Sequence, residues 1–197
     1  MTQAGLFDPL AFAHGPVMPN RLALAPLTNT QSHADGRLGD DELRWLALRA
    51  AGGFGLTMTC AAHVQANGQG FAGQLGIFGD QHVEGLARLA AAVRLEGSLA
   101  IAQLHHAGMR APPTLIGGQP VCASDHPDPV ARGLTTGEVE QVIADFIAAA
   151  QRAERAGFDG IEVHGAHGYL LCQFLSPQIN RRTDRFGGRA VRSRWVK

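Results

Sequence analysis

Short apolar runs alternate with amphipathic helical stretches along most of this chain, and that rhythm constrains the fold more than any other feature. Strands that are apolar on both faces must be covered on both, and a helix between successive strands does this when the strands run parallel. Residues 21–26 (RLALAP) read as the first strand, after a turn-rich His14-Gly15-Pro16 that suggests a small hairpin. A first helix starts near Asp40, with Asp41 and Glu42 in its positive first turn and Gly52-Gly53 at its end. Residues 54–61 (FGLTMTCA) are the second strand. Asp80 is placed to cap a second helix that carries Val83, Leu86, Ala90 and Val93 on one face and stops at Gly97. Residues 98–104 (SLAIAQL) are the third strand. A capping box at Thr135 and Glu138 opens a third helix through Val139, Val142, Ile143, Phe146, Ile147 and Ala150, which ends at Gly157. Residues 158–163 are the fourth strand.

Between residues 105 and 134 lies a stretch rich in proline and glycine, too long for a mere connector; such loops serve as lids or binding elements. Past the fourth strand come a short helical piece over 169–174, a break at Pro177, a loop closing on Gly187-Gly188, and the start of a basic helix. The 25 glycines are scattered among apolar segments, which suits tight strand–helix junctions rather than disorder. Polar residues gather where strands end: Thr28 after the first, Cys60-Ala61 on the second, Gln103 and His106 on the third, and His164, His167 and Tyr169 on the fourth. Barrel rims and doubly wound sheets both bind ligands at strand carboxyl ends, so this pattern alone leaves both architectures open. No GxGxxG marks a strand-to-helix turn and no GxxxxGK[ST] occurs, which argues against a dinucleotide Rossmann site and excludes a P-loop.

The charge balance offers no nucleic-acid partner, since 17 basic residues meet 17 acidic ones. No apolar run reaches membrane-spanning length, and the first residues lack a secretion-signal pattern. Cys60, Cys122 and Cys172 lie far apart without a CxxC pair, so free thiols in a reducing, cytoplasmic setting are expected.

The densest chemistry is in residues 160–169 (GIEVHGAHGY), where an apolar strand ends in two imidazoles and a phenol interleaved with glycines. Those glycines let a ligand approach the backbone. The stretches APLT at 25–28, QLHHAG at 103–108, HGAHGYLLCQFLSP at 164–177 and NRRTDRFGG at 180–188 together resemble the Old Yellow Enzyme family of FMN-dependent NAD(P)H oxidoreductases. The resemblance runs over residues 6–188, and the long HGxHGY-to-SP motif is its most specific part. It implies an α/β fold of the (β/α)8 TIM-barrel type, with only the first four βα units present. Residues 1–197 would then be the N-terminal half of a single FMN-binding domain.

By that resemblance Pro26 and Leu27 would line the flavin through their backbone, and Thr28 would donate a hydrogen bond near a flavin carbonyl. Ala61 would leave room for the ring, and Gln103 would pair with its pyrimidine edge, for which an amide offers donor and acceptor together. His164 and His167 would bind the oxygen of an α,β-unsaturated substrate, stabilising the charge that develops there. Tyr169 would protonate the α-carbon. FMN would carry the hydride, with NAD(P)H as donor. Met109 replaces an arginine common in the family, altering the cleft near the ring, and residues 189–197 fit the family pattern badly, as at a fragment end or a shifted reading frame. The strand-five basic residue and the phosphate-holding loops of the later barrel are missing, which implies a homo-oligomer or a complementing C-terminal half. Two alternatives stay open: a catalytically inactive half-barrel fragment, and a metal-dependent barrel hydrolase using His105, His106, His164, His167 or Glu162. Against the latter, adjacent His105 and His106 point to opposite sides of a strand.

Overall fold

A computed structural model describes residues 5–188 of the chain. In order along the chain its elements are β1 (Ala23–Leu24), α1 (Asp40–Ala51), β2 (Leu56–Met58), β3 (Ala62–His63), α2 (Val83–Leu95), β4 (Leu99–His105), α3 (Pro113–Ile116), β5 (Val121–Cys122), β6 (His126–Pro127), β7 (Val130–Gly133), α4 (Thr136–Arg155), β8 (Gly160–Val163) and α5 (Leu170–Leu175). The main sheet is parallel throughout. β1 pairs with β2, β2 with β4, and β4 with β8, so spatial order follows chain order. That is the arrangement of consecutive strands in a barrel wall.

β3 pairs with the upper part of β4 and so continues β2. Met58 stands opposite Ile101 but Ala62 opposite Leu104, so the second strand carries one extra residue against its neighbour. Thr59 repairs the ladder at this bulge: its hydroxyl accepts the Gln103 N–H at 3.0 Å and donates to the Cys60 carbonyl at 2.7 Å. The strand expected over 54–61 therefore runs on to His63, with Cys60-Ala61 inside the bulge rather than at the strand's end.

β4 shows why the sheet has two unlike faces. Ala100, Ala102 and Leu104 are buried in a core with Leu46 and Ala50 of α1, Leu86, Leu89 and Val93 of α2, and Ala149 and Ala153 of α4. On the other face Leu56, Met58, Leu99 and Ile101 line an open cavity of about 350 Å³, bounded by Phe12, His14 and Pro16 of the N-terminal segment. That segment is the expected hairpin, closed by an antiparallel bridge between Leu10 and Met18. A second core of Val121, Leu134, Val139, Val142 and Leu170 ties β5, α4 and α5 together. Helices on one face and a concave apolar face on the other make this a half barrel. β8 forms one side of the sheet, and Ile161 and Val163 are 40% and 43% exposed on it.

Three expectations need correction. Residue 80 starts a 3-10 turn (Asp80–His82) and makes no side-chain cap; its carboxylate takes Arg152 at 2.9 Å and Arg155 at 2.8 Å instead. Two guanidiniums outcompete one local amide. The stretch 105–134 is no plain loop: it holds a 3-10 turn (Gly108–Arg110), α3, and a small sheet in which β7 pairs parallel to β5 and antiparallel to β6. The first strand is two paired residues, not six. The capping box is as expected: Thr135 Oγ1 accepts from the Glu138 N–H, and Glu138 accepts from the Thr135 N–H. The basic helix expected after Gly188 lies outside the described residues. No helix among the described residues is long and apolar enough to cross a membrane.

Candidate active site

The alternation that buries Ala102 and Leu104 against helices turns Gln103 and His105 toward the concave side. Gln103 is buried, and its Nε2 donates to Glu162 Oε1 at 2.9 Å, the residue opposite it on β8. Its amide oxygen makes no protein hydrogen bond among the described residues. His105 is fully buried, and Gln74 fixes its tautomer. Gln74 Oε1 accepts the Gly70 N–H at 2.7 Å, so its Nε2 donates, to the Ala61 carbonyl and to His105 Nδ1, each at 3.0 Å. The His105 proton therefore sits on Nε2, which has no partner among the described residues. Burial, with His164 adding to it, pushes this imidazole's pKa down to about 3, so it stays neutral.

His106 departs from the site. Its Nδ1 accepts the Gly108 N–H at 3.0 Å and its Nε2 meets Gln65 Oε1 at 2.9 Å, away from the other rings. It is a buried neutral histidine, its pKa also down to about 3 through burial.

The turn after β8 gathers the remaining groups. His164 is buried, and its Nδ1 accepts the Ala166 N–H at 3.2 Å, which leaves its proton on Nε2, 3.3 Å from His167 Nδ1. Burial lowers the His164 pKa, with His167 adding to the effect. His167 and Gly168 both have positive φ, +56° and +70°, and that consecutive left-handed pair swings the chain so that Tyr169 can cap α5. Gln173 secures the turn: fully buried, it donates to the Gly168 carbonyl at 2.8 Å and accepts the Met109 N–H at 3.3 Å. A Cβ on Gly108 would lie 2.4 Å from its Oε1, so only glycine fits there.

His105, His164, His167 and Tyr169 thus form one cluster of rings. The Tyr169 ring centroid is 4.3 Å from His105, 5.1 Å from His164 and 6.5 Å from His167, each ring close to perpendicular to it. Arg110, to which the sequence draws no attention, donates to the His167 carbonyl at 2.5 Å and stands over the Tyr169 ring. Pro26, Leu27 and Thr28 continue from β1 at the same end of the sheet; Leu27 is half exposed and Thr28 exposed, with no hydrogen bond to its hydroxyl among the described residues. Ala61 is buried in the bulge. Beneath them Glu42 is fully buried on Ser32, against Cys60. Among the described residues no three His, Cys, Asp or Glu groups come together as a metal cage. Sequence reading missed Arg110 and the pairing of Glu162 with Gln103, the second visible only once the register of β4 against β8 is known.

Comparison with known proteins decides the lineage, for the family model described as NADH:flavin oxidoreductase / NADH oxidase matches residues 5–196. The chain belongs to that family. It is 41% identical over 187 residues to the probable NADH-dependent flavin oxidoreductase YqiG of Bacillus subtilis, a match covering 93% of this chain and 50% of that protein. It is 39% identical over 185 residues to an NADPH dehydrogenase of Clostridium acetobutylicum, covering 91% of this chain and 54% of that one. Morphinone reductase in complex with tetrahydroNAD superposes with a TM-score of 0.88 at 32% identity, over 98% of this chain and 58% of that chain. The old yellow enzyme homologue from Zymomonas mobilis superposes at 0.87 and 33% identity, over 94% of this chain and 55% of that one. The chain spans about half the length of these two curated relatives.

Proposed function

We propose that residues 1–197 form the N-terminal half of an FMN-binding barrel that reduces electron-poor C=C bonds at the expense of NAD(P)H. The observation that carries this reading is the clustering of the His164, His167 and Tyr169 rings where the strands terminate. The free groups beside it suit FMN. Among the described residues Gln103 keeps an amide oxygen and Thr28 a hydroxyl without protein partners, Ala61 is small, and Pro26 and Leu27 present backbone and an exposed apolar side chain. Gln103, Thr28, Ala61 and the Pro26–Leu27 backbone would hold the isoalloxazine ring; when bound, FMN supplies hydride chemistry that no side chain here can.

The protein's own part is polarisation and proton supply. A neutral His164 carries its proton on Nε2, and accepting it at Nδ1 leaves His167 with its own proton on Nε2. His167 Nε2–H is the donor free to meet a substrate oxygen, whereas the single His164 proton is engaged by His167 Nδ1 and reaches that oxygen only by leaving it. As hydride reaches the β-carbon of an enone, charge grows on that oxygen, and the His167 donor already in place stabilises it, joined by His164 once its proton turns from His167. The Tyr169 hydroxyl has no hydrogen bond among the described residues and is free to protonate the α-carbon. At neutral pH a phenol is ordinarily protonated, yet it is acid enough for a carbanionic partner.

The remaining barrel strands, with the basic and phosphate-binding groups that FMN needs, come from a complementing C-terminal half or from a second polypeptide. Flavin titration separates the two requirements. The 197-residue chain alone should take up FMN weakly, and the protein with a completed barrel should be yellow, bleached by NAD(P)H and recoloured by an enone. A completed barrel that stays colourless under excess FMN would sink the proposal.

A further inference from the structure

Met109 stands where the family resemblance leads one to expect an arginine, and its sulfur turns aside to meet Cys122 Sγ at 3.8 Å. The next residue, Arg110, brings a guanidinium to the site instead. Three observations define what it does there. Nη1 donates to the carbonyl of His167 at 2.5 Å. Cζ lies 5.1 Å from the centre of the Tyr169 ring. A Cβ on Gly168 would meet Arg110 Cδ and Nη1 at 3.8 Å, so the side chain runs along the peptide that joins the two left-handed residues. Among the described residues Arg110 is absent from every ion pair, so its charge is committed to a carbonyl and an aromatic face rather than to a surface carboxylate.

Chain connectivity gives these contacts their meaning. Arg110 ends the 3-10 turn that follows β4, whereas His167 and Tyr169 follow β8, the neighbouring strand. Past the ends of the strands, one backbone bond joins the two loops, from the Leu170 N–H to the His106 carbonyl at 3.0 Å, and side chains such as Arg110 and Gln173 supply further links. On the same loop as Arg110, Gln173 seizes the Met109 N–H from the α5 side, so the 108–110 turn is itself held firmly enough to act as an anchor. The segment being held needs such help, because a histidine at φ +56° is in a conformation that a side chain with a Cβ resists.

We propose that Arg110 is a positioning residue: it locks His167 in its left-handed turn and the Tyr169 ring against His105 before any cofactor or substrate arrives. This rests on the reading of His164, His167 and Tyr169 given above, and it adds the group that keeps them in register. A planar guanidinium suits the task because one edge can serve a carbonyl while its face or another edge meets the ring.

Tyr169 is the only tyrosine in the chain, so tyrosine labelled with carbon-13 gives ring signals from this residue alone. In the wild type, imidazole rings packed perpendicular to it should displace those signals from free-tyrosine positions. In Arg110→Met the signals move toward free tyrosine and the amides of residues 166–169 exchange about tenfold faster, as expected on losing a charged hydrogen bond. Arg110→Lys, which keeps a donor and a cation, retains at least half of the displacement. Tyrosine signals and amide exchange in Arg110→Met that match the wild type overturn the proposal. Arg110 is exposed, and unchanged β4 and β8 amides establish that the variant is folded; if they change, Arg110→Gln decides by the same two measurements. The functional reading fails separately: enone reduction unaffected by Tyr169→Phe would remove the acid while leaving the Arg110 result as it stands.

Discussion

His164 Nε2 and His167 Nδ1 stand 3.3 Å apart with a single proton between them. Because His164 Nδ1 already accepts the Ala166 N–H, the pair has a direction: His164 donates, and His167 presents its own Nε2–H outward. A substrate oxygen entering here would accept first from His167 Nε2–H, and from His164 only in competition with His167 Nδ1. Replacing either histidine by alanine should weaken binding of a carbonyl or phenol ligand by about 10- to 100-fold. Ligand titration of the flavin-loaded, completed barrel measures it; equal affinities in both variants and the wild type would show that the pair does not hold the oxygen.

Tyr169→Phe keeps the ring that packs against His105 and Arg110 and removes only the hydroxyl. Enone reduction should fall by about 10²- to 10⁴-fold, the usual worth of a general acid. Reduction of the flavin by NAD(P)H, and turnover with an acceptor that needs no proton on carbon, should stay near wild type. Rapid-mixing measurements of the two half-reactions test this directly, and an equal loss in both halves would point to damage to the fold instead.

Some of this was legible before any coordinates. Residues 98–104 read as an apolar strand carrying one polar residue near its end, Gln103, and a polar group there had to find a partner. The glycines around His164, His167 and Tyr169 marked a turn built for close approach. What stayed hidden depends on register and on tertiary competition. Glu162 meets Gln103 because β4 and β8 pair Gln103 with Glu162, an offset that no pattern within one strand encodes. Asp80 reads as a helix cap, yet Arg152 and Arg155, more than seventy residues away, claim its carboxylate. β5 and β6 are two residues each, too short to leave a period. Arg110 differs from Met109 only by one step around a 3-10 turn.

Buried neutral histidines make the fold sensitive to acid. Burial holds the pKa of His105 and His106 down to about 3 and that of His82 down to about 4, while an unfolded histidine titrates near 6.5. Below pH 6.5 the unfolded chain takes up protons that the folded chain refuses, so stability declines as pH falls from about 6.5 toward 3. Each such histidine contributes a slope of up to about 1.4 kcal/mol per pH unit. Urea midpoints measured across this window should therefore fall steadily toward acid. His106→Gln, which removes one titrating group, should be less stable at pH 7 yet show a shallower slope. A slope identical to the wild type would mean that His106 is protonated in the folded protein.

Glu42 works in the opposite sense. It is fully buried on α1, its Oε2 accepts the Ser32 hydroxyl at 2.5 Å, and Oε1 has no partner among the described residues. Burial raises its pKa above the ordinary carboxylate range, and the hydrogen bonds from Ser32 and Cys60 offset this only in part. The folded chain therefore keeps this proton after the unfolded chain has released it. Stability that is fully present below the unfolded value declines as pH rises toward the raised folded value, because at higher pH the fold must either retain the proton or bury a charge. Glu42→Gln keeps an acceptor for Ser32 and cannot ionise. It should raise the unfolding free energy from urea titration at pH 8 by on the order of 1 kcal/mol, and the gain should shrink to nothing by about pH 4. A glutamine variant less stable than the wild type at pH 8 would show that the carboxylate is bound there as an anion by a charged partner, and the neutral-acid assignment would be wrong.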